Sequence, residues 1–251
     1  MTGFAYDAFV LAGRAWRLTR TGPALVAMLV TPLVFLVGFL VVYARLLTGY
    51  GVNAAQYLPP AVVVQAMMLT AIATASAVGE DRTSGILARL RTLPLRATAV
   101  PVARLSIEGV RALVSSAVVV AAGYVAGFRL HGVLDGAGFL ALAVGFALAL
   151  CFGTATLALV VAQPESVYPL LYLPYLPLLT LSTAFAPADA FPDWLAPVVR
   201  VSPVSAVADA LRALAAGHAP AGTVGAAVAW IAGLGLVLGF TASRAFRRVA
   251  P

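Results

Sequence analysis

The stretch Glu80-Asp81-Arg82-Thr83-Ser84-Gly85-Ile86-Leu87-Ala88-Arg89-Leu90-Arg91-Thr92-Leu93-Pro94-Leu95-Arg96 is the densest run of charge in the chain, and it stands between two long apolar runs. An acidic pair beside guanidiniums is equipped for ion pairing and docking in water, not for making or breaking covalent bonds. All sixteen basic residues are Arg. Without Lys the chain has no P-loop amine for nucleotide phosphates and no Schiff-base nucleophile. Cys151 is the single Cys, which excludes a disulfide framework and a CxxC site, and it reads as packing. His131 and His218 are far apart in sequence, and nothing places them as metal ligands. No cofactor is expected in this polypeptide.

Other candidates are polar side chains inside apolar runs. Gln65, Thr70, Thr74 and Ser76 lie in one run and Ser115 and Ser116 in the next, while Tyr168, Tyr172 and Tyr175 lie close together in a later one. Polar groups are costly in lipid, so one reading has Gln65, Thr70, Thr74 and the three tyrosines line a path for an amphipathic substrate. The other has the hydroxyls bond their own helix backbone and small residues mediate packing. Glu108 is spaced for a local ion pair with Arg104 and Arg111.

The elements that must hold these residues follow from composition. The chain is 62% hydrophobic and 10% charged, with mean hydropathy +1.00. Its solvent is the bilayer, whose hydrocarbon takes roughly 20 apolar residues per helix. The apolar runs predict six transmembrane helices, at 24–44, 57–78, 105–127, 138–162, 167–185 and 223–241, with no large soluble domain. The expected fold is therefore all-α, a single polytopic transmembrane domain. Ahead of the first span, Phe4, Ala8, Phe9, Ala12 and Trp16 share one helical face and Asp7, Arg14 and Arg17 the other, which predicts an N-terminal interfacial helix within 1–22. The basic flank with no evident cleavage site reads as a retained anchor rather than a signal peptide.

Arg placement sets the expected orientation. With six spans, twelve Arg fall on the side of the termini and of the Glu80–Arg96 stretch, and Arg45, Arg129, Arg200 and Arg212 on the other. The positive-inside rule puts both termini and that stretch in the cytoplasm. The same asymmetry accounts for the pI near 10.2 without nucleic acid. Within the stretch, Ile86, Leu87, Leu90 and Leu93 form an apolar stripe while Arg82, Arg89 and Arg96 recur every seven residues. With Asp81, Thr83 or Ser84 as N-cap and Pro94 near the end, this predicts a short cytoplasmic helix over 80–96, parallel to the membrane. The long external interval 186–222 carries Phe191-Pro192-Asp193-Trp194-Leu195, interfacial in type, then Ser202-Pro203 and a helical pattern over 206–216. There Val207, Leu211 and Leu214 align and Asp209 and Arg212 are expected to be exposed. Two short helices dipping into the outer leaflet fit this interval, capping the outer end of a path, with Trp194, Asp209 and Arg212 as candidate gate residues.

The order of these residues resembles the ABC-2 type permease family, closest to its daunorubicin-resistance type of drug-export permease. The cytoplasmic signature is carried by Glu80, Asp81, Arg82, Gly85, Leu87, Leu90 and Pro94, and the external one by Phe191-Pro192-x-Trp194-Leu195 and Ser202-Pro203 with Asp209-Ala210-Leu211-Arg212. The resemblance covers essentially the whole chain. It implies a bacterial cell (inner) membrane exporter in which two permease chains pair, as homodimer or heterodimer. It also implies that each docks a separate cytoplasmic ABC ATPase holding the ATP and Mg. The helix after the second span is then the coupling helix, with Glu80, Asp81, Arg82, Gly85, Ile86, Leu87, Arg89, Leu90 and Pro94 as its ATPase-coupling residues. Two departures stand out: a short link, Gln163-Pro164-Glu165-Ser166, and a fifth span rich in Pro (Pro169, Pro174, Pro177).

Two other function classes compete. An ion-coupled carrier predicts carboxylates or broken helices at mid-membrane, and no Asp or Glu lies near the centre of a predicted span. An intramembrane enzyme requires a nucleophile–base or metal cluster within the spans, and both His lie outside them. An export permease, driven by another chain and performing no chemistry of its own, fits best.

Overall fold

The computed structural model describes residues 23–85, 99–161 and 166–249, and these are helical with no strand among them. In chain order the helices are α1 (Pro23–Gly49), α2 (Ala54–Thr83), α3 (Ala99–Ala126), α4 (Val133–Val160), α5 (Val167–Thr180), α6 (Ala196–Val201), α7 (Pro203–Ala215) and α8 (Ala221–Val249). A 3₁₀ turn at Ala188–Ala190 precedes α6. The expected interfacial helix in 1–22, the apolar stripe and Pro94 within 86–98, and most of the 163–166 link lie outside the described residues.

Five helices, α1 to α4 and α8, are long and apolar enough to cross a membrane. Each begins before its predicted span; α1, α2 and α8 also end beyond it, whereas α3 and α4 stop one and two residues short, at 126 and 160. α2 is the centre of the bundle: 72% of its apolar stretch is buried within the chain, against 11% for α1 and 6% for α8. It packs against α4, α3, α1, α5 and α7. Val62, Val63, Val64 and Met67 of α2 meet Val119 of α3, Phe139 and Phe146 of α4 and Leu211 of α7 in one core. A helix enclosed on all sides has no need of an apolar stripe, and the α2 sequence is apolar all round. Its approach to α3 is close: a Cβ on Gly123 would lie 3.1 Å from the Phe128 Cβ and 3.3 Å from the Pro59 ring. By contrast α1, α5 and α8 present Val34, Val41, Leu173, Leu176, Leu236 and Phe240 outward. These are surfaces for hydrocarbon or another apolar helix.

The predicted fifth span, 167–185, is only partly a helix. α5 has 14 residues, about 21 Å at 1.5 Å per residue. Pro174 and Pro177 each withdraw an N–H from its ladder, and the chain leaves the helix after Thr180. Nevertheless α5 and the turn after it follow α2 from end to end. Val167 clusters with Ala75, Val78 and Ala158. The Tyr175 hydroxyl accepts from Gln65 Nε2 at 3.2 Å, and the Thr183 carbonyl accepts from the Tyr57 hydroxyl at 2.6 Å. Val78 to Tyr57 spans about 32 Å of α2. Residues 181–183, a turn beyond the end of α5, carry the chain to the Tyr57 hydroxyl.

Residues 80–83 also depart from expectation. They do not open a separate helix over 80–96; they are the last turn of α2. Ser84 is the C-cap of α2, its N–H donating to the Glu80 carbonyl, and Gly85 follows with φ +72°. That left-handed conformation suits Gly and stops the helix. The Gly79-Glu80-Asp81 sequence offers no strong breaker, and contacts to α3 and α4 hold the extra turn in place.

Candidate functional site

At the first turn of α2, one guanidinium gathers three parts of the chain. α7 begins with a Ser202 N-cap, whose hydroxyl accepts from the Ser205 N–H, and Pro203 stands at its first position. That start fixes the helix so that Val204, Val207, Leu211 and Leu214 are buried and Asp209 and Arg212, three apart, face one another. Arg212 Nη1 donates to Asp209 Oδ1 at 2.8 Å, Nε to the Tyr57 carbonyl at 3.2 Å, and Nη2 to the carbonyls of Thr183 and Ala184 at 2.9 and 2.6 Å. Its carbon centre lies 3.6 Å from the Tyr57 ring centroid, a cation–π contact. Thr183 closes the ring, donating its hydroxyl to Asp209 at 2.9 Å and its N–H to Ser205 Oγ at 2.9 Å.

Arg212 is thus not exposed as expected: its side chain retains 14% of its accessible surface, while Asp209 retains 43%. Burial pulls the guanidinium below the usual Arg value, and Tyr57 and Asp209 oppose that shift. Arg remains charged at any physiological pH. The physical reason for its burial is the α5 turn. The Thr183 and Ala184 carbonyls have left the helix ladder, and a planar fork of donors satisfies both. Trp194, the third gate candidate, does not join this cluster and is 76% exposed. Next to the clasp, Gln56 pairs both ways with the Arg129 backbone, at 2.9 and 3.0 Å, and His131 Nδ1 contacts the Ala215 carbonyl at 2.9 Å. These bind the α3–α4 loop to α2 and α7.

The other end of α2 carries the first residues of the charged stretch. Asp81 pairs with Arg104 of α3. Arg82 Nη1 donates to the Val161 carbonyl at 2.5 Å and reaches the Ala158 carbonyl at 3.5 Å, at the C-terminus of α4. Glu80 is exposed. Arg104 therefore reaches across helices to Asp81, and the local pair at Glu108 is made with Arg111, at 3.2 Å. That pair leaves Glu108 2% exposed, a carboxylate whose charge is met by a neighbouring guanidinium.

Between the two ends, the hydroxyls of the spans bond their own helices. Thr70 donates to Ala66 O, Thr74 to Thr70 O, Ser76 to Ile72 O and Ser116 to Ala112 O, all between 2.8 and 3.2 Å. Thr74 also lies 3.3 Å from Cys151 Sγ, and Thr154 of α4 donates to Ala71 O at 2.7 Å, which stitches α2 to α4. Gln65 and Tyr175 are buried as a pair, 3% and 6% exposed. The tyrosines form a ladder, Tyr168 to Tyr172 at 6.3 Å and Tyr172 to Tyr175 at 5.7 Å between ring centroids. Tyr168 and Tyr172 face outward on α5. The structure brings together Gln65 with the tyrosines and Asp209 with Arg212; it does not bring Thr70 or Trp194 to either group. Sequence reasoning missed Tyr57, Thr183 and Ser205. Only the i, i+3 spacing of Asp209 and Arg212 hinted at the clasp, and that spacing names no distant partner.

Known proteins resemble the chain over most of its length. Residues 6–215 match the family described as ABC-2 type transporter. The chain is 29% identical over 226 residues to the daunorubicin resistance ABC transporter permease protein DrrB1 of Streptomyces coeruleorubidus, covering 89% of this chain and 79% of that one. It is 28% identical over 193 residues to the doxorubicin resistance ABC transporter permease protein DrrB of Mycobacterium tuberculosis, with 73% and 67% covered. With the probable doxorubicin resistance ABC transporter permease protein DrrC of the same organism it shares 25% over 236 residues, covering 93% and 85%. On a match that takes in most of its length and reaches from before α1 through α7, this multi-pass membrane chain belongs to the ABC-2 type transporter family.

Proposed function

We propose that this chain is the membrane-spanning permease subunit of an ATP-driven exporter, resident in a bacterial cell (inner) membrane with both termini cytoplasmic. The observation that carries the reading is the family match over residues 6–215, a range that includes the charged stretch following α2. The chain has no Lys for a P-loop. A separate cytoplasmic ATPase binds ATP and Mg and docks on the 80–96 stretch through Ile86, Leu87 and Leu90, with Arg89 at the rim. α5 and the turn after it act as the fifth of six crossings, supported by their contacts with α2 at Val78, Gln65 and Tyr57. α6 and α7 then lie at the external face, and the Arg212 clasp with Asp209 holds the outer gate.

A second permease chain covers the apolar faces that α1 and α5 leave exposed, and the path runs along them. The exposed rings of Tyr168 and Tyr172 line it. The substrate is lipophilic or amphipathic, a drug, lipid or glycan; relatives named for daunorubicin and doxorubicin resistance support an aromatic drug. The competing ion-coupled carrier lacks a free buried carboxylate among the described residues, since Glu108 is paired with Arg111.

Purification of the tagged chain from its host tests the partner. A P-loop ATPase is expected to co-purify and hydrolyse ATP, and replacing that subunit's P-loop Lys should end hydrolysis by the complex. A chain that purifies alone from mild detergent, with transport intact, would overturn the reading.

A further inference from the structure

The motif residues Asp81 and Arg82 lie at the end of α2. Both belong to the last turn of α2, and both are engaged within the chain: Asp81 by Arg104 of α3, Arg82 by the carbonyls of Ala158 and Val161 at the end of α4. Asp81 stands at the negative end of the α2 dipole, a position that favours a cation. Its carboxylate does not serve the local stability of α2. Arg82, by contrast, meets carbonyls at the α4 terminus that lack helical partners and favour a positive charge. One turn of α2 thus grips two other helices at the point where the chain passes Gly85 into the apolar stripe. Thr154 to Ala71 O, Thr74 to Cys151 and Arg104 Nη2 to Thr74 O at 3.5 Å extend the same attachment further along α2.

We propose that Asp81 and Arg82 are positioning residues: they bind the base of the docking stretch to α3 and α4, so that a displacement of that stretch moves three helices as one body. The inference rests on the reading of the stretch as an ATPase dock. It separates two roles within one motif. The residues beyond Gly85 hold the partner, and the two before it pass the motion on.

The test uses the full chain with its ATPase in proteoliposomes, following a fluorescent lipophilic amine and phosphate release together. Asp81→Asn and Arg104→Gln are each expected to co-purify with the ATPase as the wild type does but to move about tenfold less amine per ATP hydrolysed. The exchange Asp81→Arg with Arg104→Asp restores the pair, with the cation now at the favoured end of α2, and is expected to recover to within about threefold. Arg82→Gln leaves the ion pair intact and is expected to lose coupling through α4 alone. Wild-type amine moved per ATP in any single variant would overturn the proposal. So would an exchange no better than the single changes, or loss of the ATPase by Asp81→Asn, which would place Asp81 in the partner interface. If the wild-type chain itself never binds an ATPase, the proposed function fails instead, and the two failures are distinct.

Discussion

Arg212→Ala is expected to abolish transport and to destabilise the chain by about 3–5 kcal/mol, the usual loss when one member of a buried charge cluster is removed. Four oxygen acceptors each lose a bond from the guanidinium: the Tyr57, Thr183 and Ala184 carbonyls and Asp209 Oδ1, although the Thr183 carbonyl keeps the Tyr57 hydroxyl and Asp209 Oδ1 keeps the Thr183 hydroxyl. A hydrogen bond to a charged group contributes about 1.5–3 kcal/mol, and orphaning a half-buried acceptor removes more than the bond itself. Arg212→Lys keeps the charge, but a single ammonium cannot span the acceptors of a planar fork, so it should recover only part of the loss. Arg200→Ala is the control. Its pair with Asp189 has side chains 62% and 82% exposed, and its removal should cost about 0–1 kcal/mol. Thermal unfolding of the purified chain in detergent, with transport measured alongside, checks the order. Equal shifts for Arg212→Ala and Arg200→Ala would show that the clasp is not a structural centre.

The double substitution Leu87→Asp with Leu90→Asp is expected to abolish association with the ATPase while leaving membrane insertion and the rest of the fold intact. Truncating a central apolar anchor typically costs about 2 kcal/mol or more. Two such losses, about 4 kcal/mol together, weaken binding about a thousandfold. Introducing carboxylates into the apolar stripe adds a desolvation cost. Arg89→Ala at the rim should change affinity much less, because exposed charges are screened. Co-purification and ATPase stimulation in the assembled exporter are the readouts. Survival of both after the double substitution would move the dock elsewhere on the chain.

These two predictions come from different depths of the sequence. The Leu87–Leu90 stripe is local, and so are the spans, which periodicity and hydropathy mark within a few residues. The stop at Gly85 and the start of α7 at Ser202-Pro203 are equally local in chemistry, yet the pattern runs a helix through Gly85 and begins the other at 206. The clasp is not local. Arg212 looks like an exposed helix charge until the α5 turn places the Thr183 and Ala184 carbonyls beside it, and Tyr57 is 155 residues away in sequence. The choice of Asp81 over Glu108 as the partner of Arg104 has the same origin. Helical spacing favours Glu108, and the packing of α2 on α3 brings Asp81 closer. The shortening of α5 was signalled by Pro174 and Pro177. That α5 and the turn after it still follow α2 from end to end follows from contacts at Val167 and Thr183 that no window of sequence contains.

α2 links the two sites. It is the most buried of the five membrane-length helices, it reaches the Arg212 clasp with its first turn, and it carries Asp81 and Arg82 on its last. A helix held at both ends and along its length moves as a rigid element, so motion imposed at Gly85 arrives at Tyr57. In the proposed exporter, this rigid connection is the route by which energy from ATP reaches the proposed outer gate.

Transport by the purified chain and its ATPase in proteoliposomes tests that account most directly, with a fluorescent lipophilic amine as the probe and either ATP or an imposed proton or sodium gradient as the driving force. Movement is expected only with ATP and the ATPase, and is expected to be lost with Leu87→Asp and Leu90→Asp. Movement driven by the ion gradient with the ATPase absent would contradict it.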